Sequence, residues 1–252
     1  MRQRTALFCA CIALASLTFA QTPLTVSLSE FPPLGTAGME GNGILGQFVD
    51  EAFRGKRYEI SYDYVPFARI VTLVEQNAVQ AAFFNPLQAD EEKYFVKTIL
   101  SNSIVFFYKK SRFPEGLTFR DLAELAKYKI GIVRSAPTIP MLEDAGLTLD
   151  RADTEFLNFK KLQHDRIDLV STIDILGWYA LQENGMNRDG YGITKPIVLV
   201  ESCLIISRTS PDARRIHADF VSGYENAKQR GRLTEILETI YGPGNVPKNA
   251  LP

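Results

Sequence analysis

The sequence predicts an α/β chain folded as two lobes joined by two strand crossings. Three observations carry that reading. Residues 103–108, Ser-Ile-Val-Phe-Phe-Tyr, combine β-branched and aromatic side chains into a strand, and Lys109, Lys110 and Pro114 follow it. That is the pattern of a strand leaving one compact unit and opening another. Two further apolar runs, 197–200 and 203–206, lie far downstream and carry the chain back. Between 58 and 84 a strand, a helix and a strand follow one another, the βαβ rhythm of a layered unit whose crossover is right-handed. Two crossings between two lobes leave a cleft.

A length of 252 residues allows one large core or two modest ones. With 46% hydrophobic and 23% charged residues the chain belongs among globular rather than disordered proteins. A formal charge of -1 provides no electrostatic footprint for nucleic acid.

The first segment reads as an address. Arg2 and Arg4 precede an apolar run over 6–17, and Thr18-Phe19-Ala20 places small residues where a signal peptidase reads them. Residues 1–20 are therefore expected to be a signal peptide cut after Ala20, which sends the rest to the periplasm. The apolar run is short for a membrane span of about 20 residues. Cys9 and Cys11 fall inside this segment, leaving Cys203 without a disulfide partner. In a strand, it is expected to be a small buried hydrophobe rather than a nucleophile.

The remaining elements follow in order. Residues 24–28 alternate as a short strand, and Ser29-Glu30-Phe31-Pro32-Pro33 ends it in a rigid loop that turns Phe31 outward. In an open α/β sheet such a loop lies where ligands bind. Gly35, Gly38, Gly41, Gly43 and Gly46 show no GxGxxG spacing and read as a loop feeding a helix over 45–53. A strand over 58–64 leads through Val65-Pro66 to a helix bearing Phe67, Ile70, Val71 and Val74 on one face, and a strand over 79–84 ends at Asn85-Pro86. Beyond the 103–108 crossing come a short helix capped near Thr118, a strand over 128–133, and a helix from Thr138 to about Ala145. Arg134 and Ser135 lie at that strand-to-helix exit, where a hydroxyl and unpaired backbone N–H groups suit an anion, or where they simply cap the helix. Asn158 is read as the cap of a helix ending at His164, and 166–171 as a strand. Asp174 opens the next helix, with Trp178 four residues on and on the same face. Ser210-Pro211 starts a long helix to about Gln229, and 233–240 form the last one. His164 and His217 sit among charges and read as solvent-exposed.

Ser29-Glu30-Phe31-Pro32-Pro33, Tyr64-Val65-Pro66-Phe67-Ala68-Arg69, Asp90-Glu91-Glu92-Lys93-Tyr94-Phe95 and Asp165-Arg166-Ile167-Asp168-Leu169 ahead of Asp174 occur in an order that resembles the extracellular solute-binding proteins of family 3, the periplasmic receptors for polar amino acids. The resemblance implies the periplasmic binding protein-like fold, with lobe 1 from 21–106 plus 203–252 and lobe 2 from 107–202. It implies a monomer that closes on a small polar solute of amino acid-like kind and passes it to an inner-membrane ABC permease, with no cofactor and no metal. The residues it points to are Phe31, Phe67, Arg69, Asn85, Arg134, Ser135 and Asp174, the last as acceptor for a cationic or hydroxylated centre.

One departure stands out. Family receptors carry a threonine and an arginine that grip the ligand carboxylate just before the equivalent of Lys93-Tyr94-Phe95, whereas this chain reads Leu87-Gln88-Ala89-Asp90-Glu91-Glu92. Carboxylates there repel what an arginine fork would hold, unless Arg69, Arg134 or Lys93 substitutes. Two alternatives stand beside transport: a ligand sensor acting on a membrane signalling protein, and a dehydratase-like enzyme on a cyclic acid. The sequence contains no HExxH and no GxSxG, so an enzymatic reading would rest on its carboxylates.

Overall fold

The computed structural model describes residues 21–85 and 90–252. The expected signal peptide and Pro86-Leu87-Gln88-Ala89 lie outside the described residues. Strands β1 (Thr22–Leu28), β2 (Tyr58–Tyr64) and β3 (Ala81–Phe84) form a parallel group with β1 in the middle, Val26 opposite Tyr62 and Ala81. Helices α1 (Gly43–Phe53) and α2 (Phe67–Glu75) make the crossovers. A parallel pair needs such a connection, which is why strand and helix signals alternate here.

Strand β4 (Tyr94–Lys109) is much longer than the 103–108 run that announces it. It pairs antiparallel with β9 (Val198–Ser207) from Tyr94 opposite Ser207 to Ile104 opposite Val198, with one register shift between Thr98 and Leu100. β9 also pairs with β3, Ala82 opposite Ile205. At its far end β4 turns to other partners, β7 (Leu169–Ile173) and the short β8 (Tyr191–Ile193). β7 in turn lies parallel to β5 (Lys129–Val133), and β5 to β6 (Thr148–Ala152). The sheet order β2-β1-β3-β9-β4-β7-β5-β6 therefore holds two parallel groups, bridged by the antiparallel pair of β9 and β4. The two predicted crossings are these two strands, side by side.

The cores are separate. One gathers Leu24, Val26, Phe48, Phe53, Phe220, Tyr224 and Leu237 beneath α1, α6 (Ala213–Gln229) and α7 (Arg232–Tyr241). In the other half, Phe107, Phe159 and Leu162 pack under α4 (Glu155–Gln163), and Phe106, Ile130, Ile132 and Leu142 under α3 (Ile139–Asp144). Helix α5 (Asp174–Glu183) bridges them, with Ile175 and Leu176 in the first core and Ala180 and Leu181 in the second. Trp178 touches both, edge-on to Phe107 at 5.0 Å between ring centroids, as expected of a core aromatic.

Several local readings are corrected. Helix α4 is capped by Thr154, whose hydroxyl accepts from Leu157 N at 3.2 Å, and Asn158 lies one turn inside it, fully buried. The hydroxyl simply stands where an Ncap acceptor reaches N3. Asp121, not Thr118, caps the 3-10 turn Leu122–Leu125. Helix α6 begins at Ala213 after Asp212 in left-handed backbone, and Ser210 is buried rather than capping. The strand read at 166–171 is shifted to Leu169–Ile173, because Asp165 takes a positive φ and turns the chain first. His217 is half-buried against Phe95, with ring centroids 5.1 Å apart, and burial lowers its pKa; His164 is exposed as read. Cys203 is fully buried, its Sγ donates to Phe84 O at 3.3 Å, and burial pushes the thiol up to about 12. That fits the packing role read for it.

Candidate functional site

The bridging strands carry the floor of a cleft of about 750 Å³. Asn102 from β4 and Val200, Glu201 and Ser202 from β9 line it where the two parallel groups meet. Pockets in open α/β sheets form outside the carboxyl ends of strands, and the walls here follow that rule.

The first wall is the loop after β1. Ser29 Oγ donates to Val65 O at 3.0 Å, tying this loop to the one that opens α2. Phe31 N donates to Gly35 O at 2.7 Å and Leu34 N to Phe31 O at 2.9 Å, closing a tight turn around Pro32 and Pro33, whose peptide bond is cis. The turn holds the Phe31 ring on the cleft side with 48% of its surface exposed. Glu30 stands beside it, accepting from Ala37 N at 3.0 Å; the hydrogen bonds from Thr36 and Ala37 hold its carboxyl below the usual range.

The second wall is the start of α2 and the exit of β3. Pro66 precedes the first helical residue, Phe67, whose ring stacks on Phe84 at 5.2 Å between centroids and 12° between planes. Phe67 remains 49% exposed, an unusual state for a large apolar side chain that already has a stacking partner. Asn85 follows Phe84 on the same wall, and Ile70 and Phe83 fill in behind. Tyr64 closes the corner, its hydroxyl donating to Asn42 Oδ1 at 3.0 Å, and burial raises its pKa. From the opposite half come Ile173, at the exit of β7, and Pro137, just before α3.

Phe31, Phe67 and Asn85 are thus brought together on one side of the cleft. The other residues read from the sequence sit differently. Arg69 is exposed on α2 beyond the wall. Arg134 and Ser135 are exposed at the exit of β5, two residues from Pro137, and Arg134 Nε donates to Asp153 Oδ1 at 3.1 Å. Asp174 is only 3% exposed, its Oδ1 accepting from Ser103 N at 3.2 Å and Ile175 N at 2.8 Å, so it is engaged behind the floor. Burial raises its pKa, against the stabilising pull of those N–H groups and of Tyr241. Lys93 pairs with Glu75 at 3.6 Å, away from the wall.

The floor residues Asn102, Glu201 and Ser202 do not stand out in the sequence. Their only signal is a polar interruption inside two otherwise apolar crossing strands, which reads as weak strand rather than as a site.

No family model and no curated protein matches the sequence. Solved structures do. The L-cystine solute receptor of Neisseria gonorrhoeae in its unliganded open conformation aligns with a TM-score of 0.70 at 13% identity, covering 90% of this chain and 96% of that one. The chain has the two-lobed periplasmic binding protein-like fold. The YCKB protein of Bacillus subtilis aligns with a TM-score of 0.72 at 15% identity, over 90% of this chain and 92% of that one. Substrate-binding domain 2 of Lactococcus lactis GlnP, in open conformation, gives 0.68 at 13% identity, over 88% and 97%. At these identities the likeness extends to the fold; the cleft and its chemistry are this chain's own.

Proposed function

We propose that the chain captures a small polar solute reversibly in the cleft between its two halves, acting in the periplasm as a monomer that delivers the solute to an inner-membrane ABC permease. The observation that carries this is a roomy cleft floored by the two strands that join the halves and walled by residues from both. A cleft over two connecting strands closes by hinge motion, and closing replaces the solute's water shell with fixed protein groups. Two structural neighbours, a solute receptor and a substrate-binding domain, both in open form, support the same reading. Among the described residues no helix is long and apolar enough to cross a membrane. Binding alone accounts for the site, with no covalent step.

Within this proposal lobe 1 spans 21–106 plus 203–252 and lobe 2 spans 107–202. Phe31 and Phe67 supply ring faces, Asn85 a polar contact, and Ser135 meets the solute from the other lobe on closure. Arg134 is held by Asp153 and Arg69 lies off the wall, so neither is given a contact, and Asp174 is assigned to holding β4 against α5.

A thermal-shift screen of the purified protein against amino acids, opines, polyamines, organic acids and cyclic acids tests this. A rise in melting temperature with one class, reduced in Phe67→Ala, is expected. Silence across the panel, or turnover of a cyclic acid, would contradict it.

A further inference from the structure

The cleft is lopsided in charge. Its described lining contains two carboxylates, Glu30 and Glu201, and no lysine, arginine or histidine. Of the basic residues read from the sequence, Arg134 pairs with Asp153 and Lys93 with Glu75, and Arg69 is exposed on α2 outside the lining.

Both carboxylates keep acceptor capacity. Glu30 is exposed, and Glu201, exposed on β9, accepts from Ser101 Oγ at 3.2 Å. A carboxylate offers about four acceptor positions, so each can take further donors from a ligand. The same lining carries rings, Phe31 and the stacked pair Phe67 and Phe84. The faces of aromatic rings carry negative potential and attract cations, more strongly once water is excluded.

A zwitterionic amino acid fits this surface poorly. Closing on it would desolvate its carboxylate against a described lining that holds two like charges and no cation, and an unpaired buried charge is among the costliest arrangements a protein can make. An ammonium or guanidinium, by contrast, finds carboxylates and ring faces together. We infer that the cleft selects an organic cation with a flat or apolar body and no carboxylate, an amine rather than the corresponding amino acid. This deepens the solute-capture reading and rests on it.

Matched pairs that differ only by the carboxylate test it: tyramine against L-tyrosine, phenethylamine against L-phenylalanine, agmatine against L-arginine, by calorimetric titration of the purified protein. In at least one pair the amine is expected to bind tenfold or more tightly than its amino acid. Glu30→Gln with Glu201→Gln, which keeps the shape and removes both charges, is expected to weaken that amine tenfold or more. An amino acid that binds as tightly as its amine overturns the inference, as does amine affinity unchanged in the double variant. If no amine binds while another solute in the wider screen does, this inference fails and solute capture stands; if nothing binds in either, both fail.

Discussion

Phe67 stacks on Phe84 at 5.2 Å between ring centroids, yet the outer face of Phe67 stays open to the cleft. One ring is thereby locked in place by another, ready to receive a third flat or cationic group without further ordering. A stacked aromatic contact contributes about 0.5–1.5 kcal/mol beyond its buried area. Phe67→Ala is therefore expected to weaken solute binding by roughly 3- to 10-fold while shifting the melting temperature little. Titration calorimetry separates the two effects, and unchanged affinity would remove Phe67 from the site.

Asp174 supplies a second prediction. Its carboxylate accepts from Ser103 N and Ile175 N and so joins the crossing strand β4 to the start of α5. Asp174→Ala leaves the Ser103 N–H buried without its acceptor, at a cost of about 1–3 kcal/mol. A lower melting temperature is expected, with solute affinity in the folded protein changed less than about threefold, since the side chain sits behind the floor. Lost binding at an unchanged melting temperature would instead place Asp174 in contact with the solute.

Glu155 makes stability depend on pH. It opens α4, accepts from Thr172 Oγ1 at 2.6 Å, and burial pushes its carboxyl from the ordinary 4.5 up to about 7. Between those values the folded chain holds a proton that the unfolded chain releases. Its contribution is therefore fully present below about pH 4.5 and lost as pH rises through about 7. Each tenfold gain in proton affinity is worth about 1.4 kcal/mol, which sets a ceiling of roughly 3 kcal/mol on the effect. Melting temperature measured from pH 4.5 to 7.5 is expected to fall less steeply in Glu155→Gln than in the parent; parallel curves would contradict the assignment.

Gly223 tests the packing of the first core. A Cβ there would sit 1.7 Å from the Ala52 carbonyl oxygen, a backbone atom that cannot swing aside, so α6 crosses α1 only because the residue is glycine. Gly223→Ala is expected to cost about 1–3 kcal/mol or to push the helices apart. Gly190→Ala, where a Cβ meets nothing within 4 Å, is the control and is expected to be near neutral.

Much of this architecture was legible in residue order. The strand over 58–64 alternates and appears with those bounds, and the two apolar crossings emerge as β4 and β9. What escaped has physical causes. The stretch of β4 before Ser103 carries Lys97, Thr98, Ser101 and Asn102, polar residues that break the strand pattern, yet pairing with β9 over ten positions holds it extended. Strands β6 and β8 are short, and β6 alternates weakly because its outer face is exposed at the sheet edge. Of the cleft lining, Phe31, Phe67 and Asn85 are readable as candidates because each follows a strand end or opens a helix. Glu201 and Ser202 were not, because only the meeting of two distant strands turns their positions into a floor. Asp174, read from its place at a helix start as an acceptor for the solute, accepts from Ser103 N and Ile175 N, and the Asp174→Ala measurement decides between the two roles.

Closure of the two halves about β4 and β9 over a bound solute is the central claim. Small-angle X-ray scattering of the purified protein, with and without a saturating amount of its tightest-binding solute, measures this most directly. A smaller radius of gyration and maximum dimension with solute is the predicted result, reversed when the solute is dialysed away. Identical scattering curves at proven saturation would contradict the account.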